Sequence, residues 1–126
     1  MDDRDAAVWD RWLLKHAGEQ FRCQYDVPVG SGRPAMEIDD VAGRSLWQQL
    51  TVKRVDVVVD WSSGVWVVEV KPELNMSGLG QVLGYVHLYR RDNPGVEPVT
   101  AVLVCGKTDS ELEEVYARNQ IIVEIV

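Results

Sequence analysis

Apolar positions along the chain recur with two periods, and these mark out the elements. Between Asp5 and Ala17 they fall at Val8, Trp9, Trp12 and Leu13, with His16 on the same face, the spacing of an amphipathic helix. Asp2, Asp3 and Asp5 favour the N-terminus of that helix through its dipole, and Gly18 predicts its end. "QFRCQYDVPV" then alternates, placing Phe21, Cys23, Tyr25 and Val27 on one side of a predicted strand. "GSGRP" breaks it. From Met36 to Leu50 the pattern is mixed, and "SLWQQL" predicts one or two helical turns.

From Lys53 the periodicity sharpens. "KRVDVVVD" and "VWVVEVK" are β-branched runs separated by "WSSG", which predicts a hairpin. "GLGQVLGYVHLYRR" returns to helical spacing at Leu79, Val82, Leu83, Val86 and Tyr89, although Gly80 and Gly84 each weaken a helix by about 1 kcal/mol against Ala. After the turn-rich "DNPGVEP" come an apolar strand, "VTAVLVCG", and a helix, "TDSELEEVYARN", capped by Thr108 or Asp109. A last strand, "QIIVEIV", closes the chain. The predicted order is αβββαβαβ, with no repeat and no linker.

Glu69 and Lys71 interrupt an otherwise apolar strand, so the register of the hairpin matters. Closing it over the four residues Trp61–Gly64 pairs Asp60 with Val65, and counting back sets Asp56 opposite Glu69 and Arg54 opposite Lys71. Directly opposed side chains lie about 4.5–5.5 Å apart, and like charges there are destabilising. A cation between the two carboxylates would remove the conflict. A register shifted by two, closed by a Ser63–Gly64 turn, sets Asp56 opposite Lys71 as an ordinary cross-strand ion pair. Both registers keep Asp56, Glu69 and Lys71 on one face, because the side-chain period is two. Pairing rules alone leave both open.

The 126 residues fit one domain over 1–126, and an apolar fraction of 46% with five tryptophans argues for a packed core. "MDDRDAAVWDRW" shows no secretory signal and no run approaches membrane-spanning length, so a cytoplasmic protein without a membrane partner is expected. Cys23 and Cys105 are too few and too far apart for a disulfide framework or a zinc knuckle, and are expected as buried free thiols. A net charge of −7 counts against a broad basic face for nucleic acid, yet suits a site that gathers carboxylates around a cation.

"RVDVVVD-WSSG-VWVVEVK" resembles the core of the PD-(D/E)XK nuclease superfamily, whose signature is an Asp on one strand and Glu-X-Lys on the next. Asp56, Glu69 and Lys71 match those positions. Gln81 and Tyr85, four apart on the following helix, are similar to the Gln-x-x-x-Tyr element of the branch that includes RecB-type exonuclease domains. The likeness spans Lys53 to Gly106. Val55 stands where a proline is usual, and "VGSG" resembles a loop of archaeal junction-resolving members.

The resemblance implies a restriction-endonuclease-like α/β fold, a central mixed sheet with a β-hairpin core flanked by helices. It implies hydrolysis of phosphodiester bonds in nucleic acid, DNA being the expected substrate, with Mg²⁺ or Mn²⁺. Asp56, Glu69 and the Val70 carbonyl would hold the ion, joined by a first-helix acid for which Asp10 and Glu19 are the candidates. Lys71 would orient water or stabilise developing charge, while Gln81 and Tyr85 would position phosphate or water. Arg90 and Arg91 either complement the helix dipole or, with Arg54 and Lys71, form a basic strip for phosphates. Trp61 is expected exposed in the turn, available to stack on a base. Glu37, Asp39 and Asp40 read as a solvated acidic loop that could lend a ligand, and a homodimer fits the resemblance. The alternative is a catalytically inactive member acting as a nucleic-acid-binding or assembly component. His16 and His87 read as surface or half-buried residues.

Overall fold

The structure, a computed structural model, describes residues 1–32 and 41–126, the side chains of Arg44, Ser45, Gln48 and Gln49 excepted. The acidic stretch of Glu37, Asp39 and Asp40 lies outside the described residues. Helix α1 spans Asp3–Lys15 and opens with a capping box: Asp2 accepts the Asp5 N–H at 2.8 Å, and Asp5 accepts the Asp2 N–H at 3.4 Å. Strand β1 is Phe21–Val29, helix α2 Val41–Thr51, and the hairpin strands β2 and β3 are Lys53–Trp61 and Gly64–Glu73. Helix α3 (Met76–Asp92), strand β4 (Val99–Lys107), helix α4 (Ser110–Arg118) and strand β5 (Ile121–Ile125) complete the chain.

The observed order therefore carries one helix more than αβββαβαβ. "SLWQQL" belongs to an 11-residue helix, not one or two turns. Its apolar positions begin at Val41 and Ala42, but Gly43 interrupts the pattern and hides its beginning.

The five strands form one sheet in the order β1-β2-β3-β4-β5. Strands β1, β2 and β3 are an antiparallel meander, whereas β4 and β5 add in parallel through the crossovers α3 and α4. Helices cover both faces of this mixed α/β sheet. Val57, Val59, Val68, Val70, Val102 and Val104 face Val8, Trp9 and Trp12 of α1. Val58, Val65, Val67 and Leu103 face the α3 side, with Leu79, Val82, Val86 and Tyr116. Being covered on both faces is why β3 reads as an almost unbroken valine run. Among the described residues, no helix is long and apolar enough to cross a membrane.

Under α1 the tryptophans pack as a cluster. Trp9 stacks on Trp12 with ring centroids 4.5 Å apart, and Trp61 lies 5.2 Å from Trp66 and 5.1 Å from Phe21. Trp61 thus corrects the expectation of an exposed stacking platform, since its ring turns in against α1. His16 is half-buried and stacks on Trp12 at 4.0 Å; His87 is exposed. Cys105 is buried, Cys23 half-buried, and both are free.

Asn75 caps α3 by accepting the Gly78 N–H at 2.7 Å. A side chain at Gly78 would collide with Leu103 and with the Tyr116 hydroxyl, at 2.7 and 2.9 Å from an ideal Cβ. This close approach seats α3 against β4.

Candidate functional site

The hairpin adopts the register that opposes the two acids. Trp61 pairs with Gly64, Asp60 with Val65, and the ladder continues to Val57 and Val68. The turn is tighter than the four residues expected, because Trp61 and Gly64 still pair and only Ser62 and Ser63 bridge them. The register is unchanged by this. The shifted alternative does not form, and no Asp56–Lys71 ion pair occurs among the described residues.

Beyond Val57 and Val68 the ladder stops. Asp56 does not join it; its Oδ2 instead accepts the Val70 N–H at 2.9 Å. Strand β3 keeps its other neighbour, with Glu69 beside Leu103, Val70 beside Val104 and Lys71 beside Cys105. Glu69 and Lys71 therefore sit on a strand pinned on one side and released on the other. By alternation with Val65 and Val67 they face α3, whereas Asp56 sits where the alternation of β2 breaks, Val55 and Val58 both packing on the α3 side and Val57 under α1.

Glu69 is 3% exposed, the one charged residue among the described residues that is fully buried. Burial pushes its carboxyl up to about 9; the hydrogen bond and the charge shared with Asp56 add to this, Lys71 opposes it, and Asp5 contributes a smaller upward push. At neutral pH Glu69 therefore keeps its proton. A lone buried acid among valines lowers stability unless it is partnered, so folding alone gives no reason for Glu69.

A third acid comes from the opposite face. Asp5 is half-buried, and its carboxyl is raised by burial first, then by the charges of Asp2 and Asp56, while Lys71 lowers it. The first-helix acid near the pair is thus Asp5, in place of Asp10 or Glu19. Asp10 is exposed and its charge is felt by Tyr25. Glu19 pairs with His16 beside Trp61, at the hairpin-turn end of the sheet. In the sequence Asp5 looked like a dipole acid of the first turn; its partner role in the capping box was the available signal.

Tyr85 also belongs to this neighbourhood. It is half-buried, its phenol raised by burial and then by the charges of Glu69 and Asp56. Gln81, one turn earlier, is half-buried with its carbonyl oxygen out of solvent and without a hydrogen-bond partner among the described residues. Both side chains line a groove of about 590 Å³ along α3.

The arginines point elsewhere. Arg90 donates to the Val99 carbonyl at 2.6 Å, and Val99 neighbours Val65 beside the hairpin turn. Arg91 lies 3.6 Å from Asp92, and Arg54 reaches the Asp26 carbonyl at 3.4 Å. The expected strip of Arg54, Lys71, Arg90 and Arg91 does not assemble around the acids, because each arginine has a nearer acceptor.

Among the described residues no three His, Cys, Asp or Glu side chains converge as a complete metal cage. Two carboxylates, one buried and carrying a displaceable proton, nonetheless form a hard oxygen donor set of the kind Mg²⁺ takes while keeping several waters.

No protein-family model and no curated protein sequence matches the chain. Among solved structures it is similar to the crystal structure of a protein of unknown function, AF1548, at 14% identity and a TM-score of 0.46. The similarity covers 95% of this chain and 56% of that one.

Proposed function

We propose that this chain is a restriction-endonuclease-like domain of the PD-(D/E)XK type that hydrolyses phosphodiester bonds of nucleic acid with Mg²⁺ or Mn²⁺. The observation that carries this reading is the buried Glu69 carboxyl beside Asp56, at the point where β2 leaves β3. Valine at position 69 would suit the fold better, so the acid needs a reason outside stability.

Asp56 and Glu69 would hold the ion, with the Val70 main chain alongside and Asp5 within electrostatic reach. Bound there, the ion supplies a Lewis acid for a phosphoryl oxygen and a water acidified toward neutral pH. Lys71 faces the same side of the sheet and offsets the negative charge that grows on the phosphate in the transition state. Tyr85 and Gln81 orient the phosphate or the attacking water by hydrogen bonds, and the unpartnered Gln81 oxygen is suited to accept one. Substrate and water enter from the α3 side, because α1 closes the other face with Val8, Trp9 and Trp12.

The test is cleavage of single-stranded, double-stranded and branched DNA in Mn²⁺ and Mg²⁺ by the protein and by its Glu69→Gln and Lys71→Met variants. Activity that disappears in both variants supports the reading. Equal activity in all three proteins overturns it.

A second reading is favoured by the charge distribution. A net −7 and arginines turned away from the acids suit a nuclease-fold protein that has lost cleavage and serves in binding or assembly. Mn²⁺ binding without cleavage of any of the three substrates selects it.

A further inference from the structure

Glycine appears three times on α3, and only Gly78 is required by packing. Among the described residues, an ideal Cβ at Gly80 or at Gly84 meets nothing within 4 Å. Each lies inside the helix and is exposed, weakening it by about 1 kcal/mol against Ala. No packing contact among the described residues recovers this loss. The missing side chains instead leave open the groove that Gln81, Tyr85, Leu88, His87 and Lys53 complete.

We propose that this groove takes an unpaired nucleic-acid strand, with bases laid on the Gly80–Gly84 face and against the Tyr85 ring. Three observations favour a single strand over a duplex. The lining is mostly carbon surface, to which the two glycines and Leu88 contribute, and this suits the flat faces of bases. A duplex keeps those faces stacked inside and presents phosphates, for which this groove offers one lysine, Lys53, at its edge. Tyr85 lines the groove and its phenol feels the charges of Glu69 and Asp56, so the groove opens on the side of α3 nearest the acids. An aromatic ring with a neighbouring cation is the combination that binds single strands with little sequence preference. The proposal rests on the nuclease reading for the direction in which the strand is presented.

The groove can be filled without disturbing the core. Gly84→Ala and Gly84→Leu both add to open space and both raise helix propensity, so each variant should melt no lower than the parent protein. Binding is read by fluorescence anisotropy in Ca²⁺ buffer, using a labelled mixed-sequence oligonucleotide and the labelled duplex made from it. The parent protein should favour the single strand. Gly84→Leu should weaken single-strand binding about tenfold, the scale of one lost base–aromatic stack, and Gly84→Ala should weaken it less. Calorimetric Mn²⁺ titration of Gly84→Leu should match the parent. Unchanged single-strand affinity in Gly84→Leu, or a parent protein that binds the duplex as tightly, overturns the proposal. Weaker single-strand binding in Gly84→Leu, together with a parent protein that neither takes up Mn²⁺ nor cleaves, would sink the nuclease reading and leave the groove standing.

Discussion

Asp56 Oδ2 accepts the main-chain N–H of Val70 at 2.9 Å, so β2 stays tied to β3 by a side chain after their backbones have stopped pairing. The bond falls one residue past Glu69 and brings the two carboxyls together. One of Asp56's oxygens is thereby committed to the backbone, and the acid pair shares what remains. A proton satisfies that arrangement, and so would a divalent cation.

The first prediction follows from the proton. Glu69 is neutral in the folded protein up to about pH 9 and ionised in the unfolded chain above about 4.5. Stability from this group is therefore complete below pH 4.5 and declines as pH rises toward 9, since the folded state binds the extra proton. Glu69→Gln keeps the shape and removes the titration. Thermal melts in EDTA should give similar midpoints for the two proteins at pH 5. At pH 9 the variant should melt higher by a few degrees. A constant difference across the range would show that Glu69 is not a buried neutral acid.

A cation must expel the same proton. Mn²⁺ affinity should rise with pH through the neutral range, by up to about tenfold per unit while Glu69 keeps its proton. Calorimetry in two buffers of different ionisation enthalpy should register close to one proton released per ion. Affinity independent of pH would remove Glu69 from the ligand set.

Asp56 and Lys71 should separate binding from chemistry. Asp56→Asn removes a proposed ligand and should abolish both Mn²⁺ uptake and cleavage. Lys71→Met should abolish cleavage while leaving Mn²⁺ affinity equal or higher, because Lys71 contributes positive charge beside the acids. Matched titrations and nuclease assays decide this, and loss of ion binding in Lys71→Met would contradict the assigned role.

Asp5 should act at a distance. Asp5→Asn retains a hydrogen-bonding side chain in the capping box and removes one negative charge near Asp56 and Lys71. Mn²⁺ affinity should fall a few-fold, and the fall should shrink in high salt. Asp10→Asn, at an exposed position of the same helix, should leave affinity unchanged.

The glycines of α3 give a stability contrast that does not depend on any activity. Gly80→Ala should stabilise the protein by about 0.5–1 kcal/mol, since its Cβ meets open space. Gly78→Ala should destabilise it by about 1–3 kcal/mol through collision with Leu103 and the Tyr116 hydroxyl. Urea titrations of the two variants measure both signs.

Sequence pattern alone determined the strands, three of the four helices and the pairing of Asp60 with Val65. Each is a local property, set by side-chain period, β-branching and turn residues within a few positions. The same periodicity placed Glu69 and Lys71 on one face, while the break in alternation at Asp56 was not legible. Where the β2–β3 ladder ends was not legible, because it depends on β4 holding β3 while β2 diverges, a competition between strands distant in sequence. Asp5 stayed hidden for a related reason: α1 crosses the opposite face of the sheet, and only packing brings its first turn to the acids. Sequence neighbours leave Trp61 exposed in the turn and Arg90 and Arg91 open between helix dipole and phosphate, whereas in the folded chain each meets a nearer partner. Periodicity fixes which face a side chain leaves from, and tertiary packing decides what it meets there.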